Sequence, residues 1–168
     1  LKKKMGDCLF SDLDLPFEAI ACDLMTGERV VLDHGDVVPD IRASAAIPSL
    51  FSPVEINHGL LVDGGLVDNL PVEQARAMGA DLVIASDVSN RSRITKAPTN
   101  PIEVLLTMFN IMQDHGALVN SDDCDFYIRP QISQYSYWGF ADAAKVLVEG
   151  KKSAEIIIPE LKKTLRIS

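Results

Sequence analysis

Basic residues are scarce in this 168-residue sequence: 16 Lys and Arg stand against 24 Asp and Glu, for a formal net charge of −8. That balance argues against nucleic acid as a partner, because duplex binding needs a basic footprint to displace counterions. Long apolar runs are also missing. The longest stretches without a charged residue, 43–54 and 130–141, have 12 residues each, and both contain proline. A membrane span needs about 20 apolar residues. Cysteine is rare and odd in number, with Cys8, Cys22 and Cys124 and no C-x-x-C pair. This is neither a disulfide framework nor a zinc site and suits small thiols in a reducing compartment, so a cytoplasmic location is expected. No apolar run follows Lys2-Lys3-Lys4, so the opening does not read as a signal peptide. His34, His58 and His115 are the only histidines, and no two stand at i, i+4 as a zinc-hydrolase motif requires. None of the 10 glycines has a serine two residues later, and no glycine-rich phosphate loop occurs.

What is present is ordinary for a globular domain, with 47% apolar and 24% charged residues. A length near about 150 residues reads as one domain with no second one. The chain opens on Leu1 rather than Met. Residues 1–5 followed by Gly6 read as the tail of a helix, because lysines favour a helix C-terminus and glycine supplies the left-handed cap. A helix that starts at its own end is what an interior piece of a longer polypeptide would show. Residues 17–24 and 29–32 flank Met25-Thr26-Gly27-Glu28 and predict a hairpin. Residues 40–46 predict a short Ala-rich helix stopped before Pro48. Val54-Glu55-Ile56 and Leu60-Leu61-Val62 flank Asn57-His58-Gly59, a second hairpin in which glycine takes the positive φ. Pro71 opens the next helix, with Asp68 and Asn69 as caps, and Gly79 stops it.

Residues 81–86 have the continuous apolar character of a strand covered on both faces. Strand, helix, strand at this spacing implies a parallel, helix-covered sheet. Residues 89–100, with Arg91, Arg93 and Lys96 and no acid, read as a mobile surface loop. Three charges at about 1 kcal/mol each allow at most a weak, transient contact with a membrane surface. Pro101 starts a long helix whose Ile102, Leu105, Met108, Phe109, Met112 and Val119 predict a core-facing stripe. Residues 126–130 read as a last strand, and residues 141–148 and 153–165 as two helices parted by Gly150.

Chemistry points to residues 42–71. Asp63 follows an apolar strand and precedes Gly64-Gly65, which puts a carboxylate at a strand end with backbone free to turn sharply behind it. Strand ends are where open α/β sheets build their sites. Asp-Gly is also a common turn pair. Ser44 in an alanine-rich helix reads as packing or bonding its own backbone. The combination is more specific. It comprises Pro16-Phe17, Ala21-Cys22-Asp23-Leu24, Thr26-Gly27-Glu28, residues 42–48, Phe51-Ser52-Pro53-Val54, Leu61-Val62-Asp63-Gly64-Gly65, Asn69-Leu70-Pro71 and Gly79-Ala80-Asp81, then more weakly residues 125–130, Phe140 and Gly150. In order and spacing this resembles the patatin-like phospholipase family, its bacterial cytoplasmic members in particular. The resemblance implies an α/β fold, a three-layer α/β/α sandwich, and a serine hydrolase with a Ser–Asp dyad. Asp63 would be its general base, supported by the Gly64-Gly65 turn. No cofactor or metal is implied, and the substrate would be a lipid or another hydrophobic ester.

The departure from the family is as informative. Its nucleophile serine lies in a Gly-x-Ser-x-Gly elbow behind a glycine-rich oxyanion loop, and neither occurs in this chain. Both are expected upstream of Leu1. Residues 1–168 are then the C-terminal portion of an incomplete patatin-like domain, inert alone because a base without nucleophile and oxyanion donors has nothing to activate or stabilise. The absent strands would leave a sheet edge and an apolar face uncovered, so self-association or pairing with the missing half is expected. The alternative is a non-catalytic patatin-fold interaction module that kept the fold and lost the nucleophile. Among other candidates, His115 is the only histidine after Asp63 and reads as either a third catalytic residue or a surface one. His58 reads as an exposed turn residue. Asp122-Asp123-Cys124-Asp125 lacks the alternating ligands and central glycine of a calcium loop. Trp138 with Tyr135, Tyr137 and Phe140 either lines an acyl pocket or packs on the sheet.

Overall fold

The computed structural model describes residues 2–89, 97–135 and 140–167. Along the chain run α1 (Lys2–Met5), β1 (Ala19–Asp23), β2 (Arg29–Leu32), α2 (Val37–Ser44), β3 (Val54–Ile56), β4 (Gly59–Asp63), α3 (Val72–Ala77), β5 (Ile84–Ser86), α4 (Pro101–Asn120), β6 (Phe126–Ile128) and α5 (Ala143–Leu165). Helices and strands mix throughout, so the class is α/β. The chain forms two units, Leu1–Pro71 with Pro98–Gly116, and Val72–Ala97 with Ala117–Ser168.

The first unit is built on a four-stranded sheet of order β2-β1-β4-β3, antiparallel at every pairing. Both hairpins form where their turn chemistry stands. Asp23 Oδ1 accepts from the N–H groups of Met25 (2.7 Å) and Thr26 (3.3 Å), and Gly27 takes φ +74°. In the second hairpin, Asn57 and His58 carry the positive φ values, 49° and 68°, while Gly59 is already the first residue of β4. The positive φ expected of glycine thus falls on the two residues before it, the pattern of a two-residue turn matched to strand twist. α2 packs on the sheet, and Ala19, Ala21, Leu32, Ala43, Ala46, Val54 and Leu61 form the core between them. Small residues on both sides let the helix lie close. α2 begins at Val37, earlier than expected, because Pro39 falls in its first turn, where a missing N–H costs nothing. Gly6 takes φ +67° after α1, as its position predicts.

The second unit holds the parallel pair β5–β6, with Ile84 opposite Phe126 and Ser86 opposite Ile128. β4 and β5 therefore sit in different sheets, and the parallel neighbour of β5 is β6. β5 is also not covered on both faces within this chain: Ala85 is buried, but Ile84 and Ser86 are exposed. Short apolar runs carry no periodicity that distinguishes one covered face from two. Asp125 ties the unit together, its Oδ2 accepting from Val83 N–H (2.7 Å) and from the Arg76 guanidinium (2.5 Å). α3 ends at Ala77 and Gly79 takes φ +94°. Asp68, read as a cap for α3, accepts from Arg29 Nε at 2.7 Å.

Two helices depart from expectation. α5 is continuous from Ala143 to Leu165, through Gly150 and Pro159. Glycine inside a helix costs about 1 kcal/mol against alanine, which lowers helix stability without breaking it. On α4 the apolar stripe is not core in this chain. Phe109 is buried, but Ile102, Leu105, Met108 and Met112 are all about half exposed, and the side chain of Val119 lies outside the described residues. Among the described residues no helix is long and apolar enough to cross a membrane. The basic segment with Arg91, Arg93 and Lys96 lies outside the described residues.

Candidate active site

Asp63 is fixed by three neighbouring segments of the first unit. β4 carries it to the sheet end opposite Ala21 of β1. Its N–H donates to Ala46 O at 3.0 Å, which ties the residues following α2 to the tip of β4. The chain then tightens into a 3-10 turn over Gly64–Leu66, and Asp63 caps that turn itself: Oδ1 accepts from Gly65 N–H at 2.8 Å.

Close approach requires glycine at 64 and crowds the space over 65. A Cβ on Gly64 would collide with the backbone carbonyl of Ile20, its carbon only 2.6 Å away. A Cβ on Gly65 would collide with the side-chain amide of Gln113 and stand 3.0 Å from Asp63 Oδ1. The turn thus packs against β1 on one side and under Gln113 of α4 on the other.

Asp63 opens on a cavity of about 410 Å³, whose walls include Phe17, Ile20, Ile41, Ser44 and Asn69. This is the size of a small-ligand site, and its lining is mixed: the carboxyl-bearing residues Glu18 and Asp68 join Asp63, Ser44 and Asn69 beside the apolar side chains. Burial pushes the Asp63 carboxyl above its usual range, and the Gly65 N–H bond pulls it partly back. Among the described residues no cation pairs with it. A half-buried carboxylate without a countercharge holds a proton more readily than an exposed one, which is the direction a general base needs. Ser44 lines the same cavity but makes no hydrogen bond to Asp63 among the described residues.

The other candidates stand apart. His34, His58 and His115 are exposed, and His34 pairs with Asp33. Asp125 is engaged by Arg76 and Val83, and no cluster of His, Cys, Asp or Glu among the described residues is arranged to hold a metal ion. Tyr137, Trp138 and the Phe140 side chain lie outside the described residues, while Tyr135 is half-buried. Cys8, Cys22 and Cys124 are free thiols, Cys22 buried.

Two features were not anticipated. Asp87 is 2% exposed and accepts from Ser89 and from Tyr127 Oη, with Arg129 Nε at 3.8 Å. Burial pushes its carboxyl up, but those donors and the arginine outweigh it and hold it low. Gln113 is the other, and its only signal in the sequence is its place four residues after Phe109 and four before Ala117, both buried.

Residues 24–76, which contain Asp63-Gly64-Gly65, match the family model described as Patatin-like phospholipase. An uncharacterized NTE family protein of Mycobacterium bovis is 40% identical over 81 residues, covering 48% of this chain and 22% of that protein. A second one, of Mycobacterium tuberculosis, is 41% identical over 76 residues, covering 45% of this chain and 12% of that protein. Patatin-like phospholipase domain-containing protein 7 of Mus musculus is 30% identical over 158 residues, covering 77% of this chain and 12% of that protein. The chain spans less than a quarter of the length of each of these curated relatives. The chain belongs to the patatin-like phospholipase family.

Proposed function

We propose that this chain is the aspartate-bearing part of a serine lipid acyl hydrolase, a phospholipase or esterase, with Asp63 as its general base. The nucleophile and the oxyanion donors come from polypeptide outside these 168 residues, in a domain whose three-layer sandwich that polypeptide completes. Asp63 takes the serine proton as the hydroxyl attacks the ester carbonyl, and returns it to the leaving alcohol. An acyl-enzyme remains; water attacks its carbonyl with Asp63 again accepting the proton, the serine–acyl bond breaks, and Asp63 returns the proton to the serine oxygen as the free acid leaves. The observation that carries this reading is the Asp63 carboxyl at the end of β4: half-buried, without a countercharge among the described residues, and lining a cavity whose walls include Phe17, Ile20 and Ile41. The family match over residues 24–76 supports a lipid substrate. The free thiols support a cytoplasmic setting.

The apolar outward face of α4 bears on partners. Leu105, Met108, Ile111 and Met112, which share one side of the helix, are each about half exposed, as at an interface. We infer that the rest of the same domain covers it, and that the isolated chain self-associates through it. The second reading, a non-catalytic interaction module of the same fold, draws on this face alone.

The test uses longer polypeptide that includes the residues before Leu1. It should label with a fluorophosphonate, and Asp63→Asn should lower ester turnover by about 10³-fold with the circular dichroism unchanged. Turnover that survives Asp63→Asn removes Asp63 from the mechanism. Turnover by the 168-residue chain itself would show that the nucleophile lies within it.

A further inference from the structure

Gln113 stands over the Asp63-Gly64-Gly65 turn with nothing yet assigned to it. It is half-buried, on the shielded face of α4 between Phe109 and Ala117. A glutamine amide has two donors and two acceptor sites, yet the Gln113 side chain makes no hydrogen bond among the described residues. Its position is unusually constrained. The point that a Cβ on Gly65 would occupy lies 3.0 Å from Gln113 Cδ and 3.0 Å from Asp63 Oδ1, and closer still to Gln113 Nε2. Amide carbon and carboxylate oxygen are therefore no more than twice that distance apart. A change in the last side-chain torsions of Gln113 is what would join its NH₂ to the carboxylate, over the face of Gly65.

From this geometry we infer that Gln113 is a positioning residue for Asp63: its side-chain amide donates to Oδ1, beside the Gly65 N–H, and leaves Oδ2 to take the proton. The catalytic part of this role rests on the reading of Asp63 as general base; the hydrogen bond itself does not. Oδ1 has room for both donors, since a carboxylate oxygen carries two lone pairs. Two donors on one oxygen fix the rotation of the carboxylate, which one donor does not. A glutamine that merely filled the space over Gly65 would leave the proton affinity of Asp63 unchanged. A glutamine that donates to the ionised form lowers it.

The test follows the Asp63 carboxyl directly, by ¹³C NMR titration of the 168-residue chain with labelled aspartate. Gln113→Met keeps the length of the side chain and removes the donor, so the Asp63 midpoint should rise by roughly one pH unit. Gln113→Leu likewise removes the donor and adds no charge, so it should shift the midpoint in the same direction. The same spectra report whether each variant is folded, and should the Met variant unfold, the Leu variant decides. An Asp63 midpoint unmoved in the folded variants overturns the inference. In the longer polypeptide the acid limb of the kcat/KM profile should move to higher pH by the same amount in Gln113→Met, with KM little changed. If Asp63→Asn abolishes turnover while the Gln113 variants leave the titration unmoved, the base assignment stands and the positioning role falls. If Asp63→Asn retains turnover while the titration moves, the hydrogen bond stands and the base assignment falls.

Discussion

Gly64 and Gly65 are adjacent in one turn, yet an added methyl group should have opposite consequences at the two. At Gly64 a Cβ meets the carbonyl carbon of Ile20 at 2.6 Å and the Ile20 Cγ2 at 3.0 Å, with the carbonyl oxygen nearer still, where ordinary contact begins near 3.4 Å. The two nearest, the carbonyl carbon and oxygen, are backbone atoms of β1, the strand paired on one side with β2 and on the other with β4. They have no room to withdraw without stretching ladder hydrogen bonds on both sides. Overpacking of this kind costs about 3 kcal/mol. At Gly65 the obstacle is the end of the Gln113 side chain, which swings aside for less than about 1 kcal/mol. Replacing glycine also stiffens the unfolded chain and returns about 0.4–1 kcal/mol, so Gly65→Ala should be close to neutral. Urea unfolding followed by far-UV circular dichroism checks both. With a slope of about 2 kcal/mol/M, Gly64→Ala should lower the midpoint by about 1.5 M, and Gly65→Ala should barely move it. Equal midpoints for the two variants, or a wild-type midpoint for Gly64→Ala, would refute the claim that β1 backbone sets the identity of residue 64.

Two further outcomes are expected. Asp40 is 4% exposed and makes no hydrogen bond among the described residues; burial pushes its carboxyl up, His34 opposes this, and Asp36 and Asp33 add to it. A folded-state value above the unfolded one means that its contribution is fully present below the unfolded value near 4 and is lost as pH rises through the folded one, so Asp40→Asn should flatten the fall in stability above pH ~4 and leave the chain more stable than wild type at neutral pH, whereas a steeper fall in thermal scans across pH would refute this. Leu105→Glu with Met108→Glu alters two exposed positions, so monomer stability should change by less than about 0.5 kcal/mol at each while sedimentation shows weaker self-association; an unfolded double variant would mean that this face is core.

The parts of the fold that were legible in the sequence are those decided locally. The β1–β2 and β3–β4 hairpins form because their turn residues dictate them, and Asp63-Gly64-Gly65 reads as a strand end followed by a sharp turn, which is where it lies. What was not legible depends on partners distant in sequence. Nothing local distinguishes β5 pairing with β6 from β5 pairing with β4, because the apolar run 82–85 suits either. Gly150 reads as a breaker, but a long helix carries a single glycine at small cost. Asp87 gave no signal either, since its partners Tyr127 and Arg129 are about 40 residues away and reach it only through the β5–β6 pairing.

α4 is where pattern and structure part most clearly, and the disagreement has physical content. Its apolar residues at helical spacing predict burial, yet Leu105, Met108 and Met112 face out, while the shielded side carries Phe109, Gln113 and Ala117. At about 25 cal/mol per Å² of apolar surface, a helix that turns its apolar face to water gives up the main stabilisation available to it. The periodicity of a sequence reports burial in the complete folded protein, whereas the exposures report burial within these 168 residues. On the proposal that the rest of the domain covers the outward face, both are satisfied: α4 is then buried on two sides, apolar toward the added layer and polar toward the turn that carries Asp63. A core helix with a glutamine on its inner face costs stability unless that amide is hydrogen-bonded. The Asp63 carboxylate, across Gly65 from that amide, is the group it would orient.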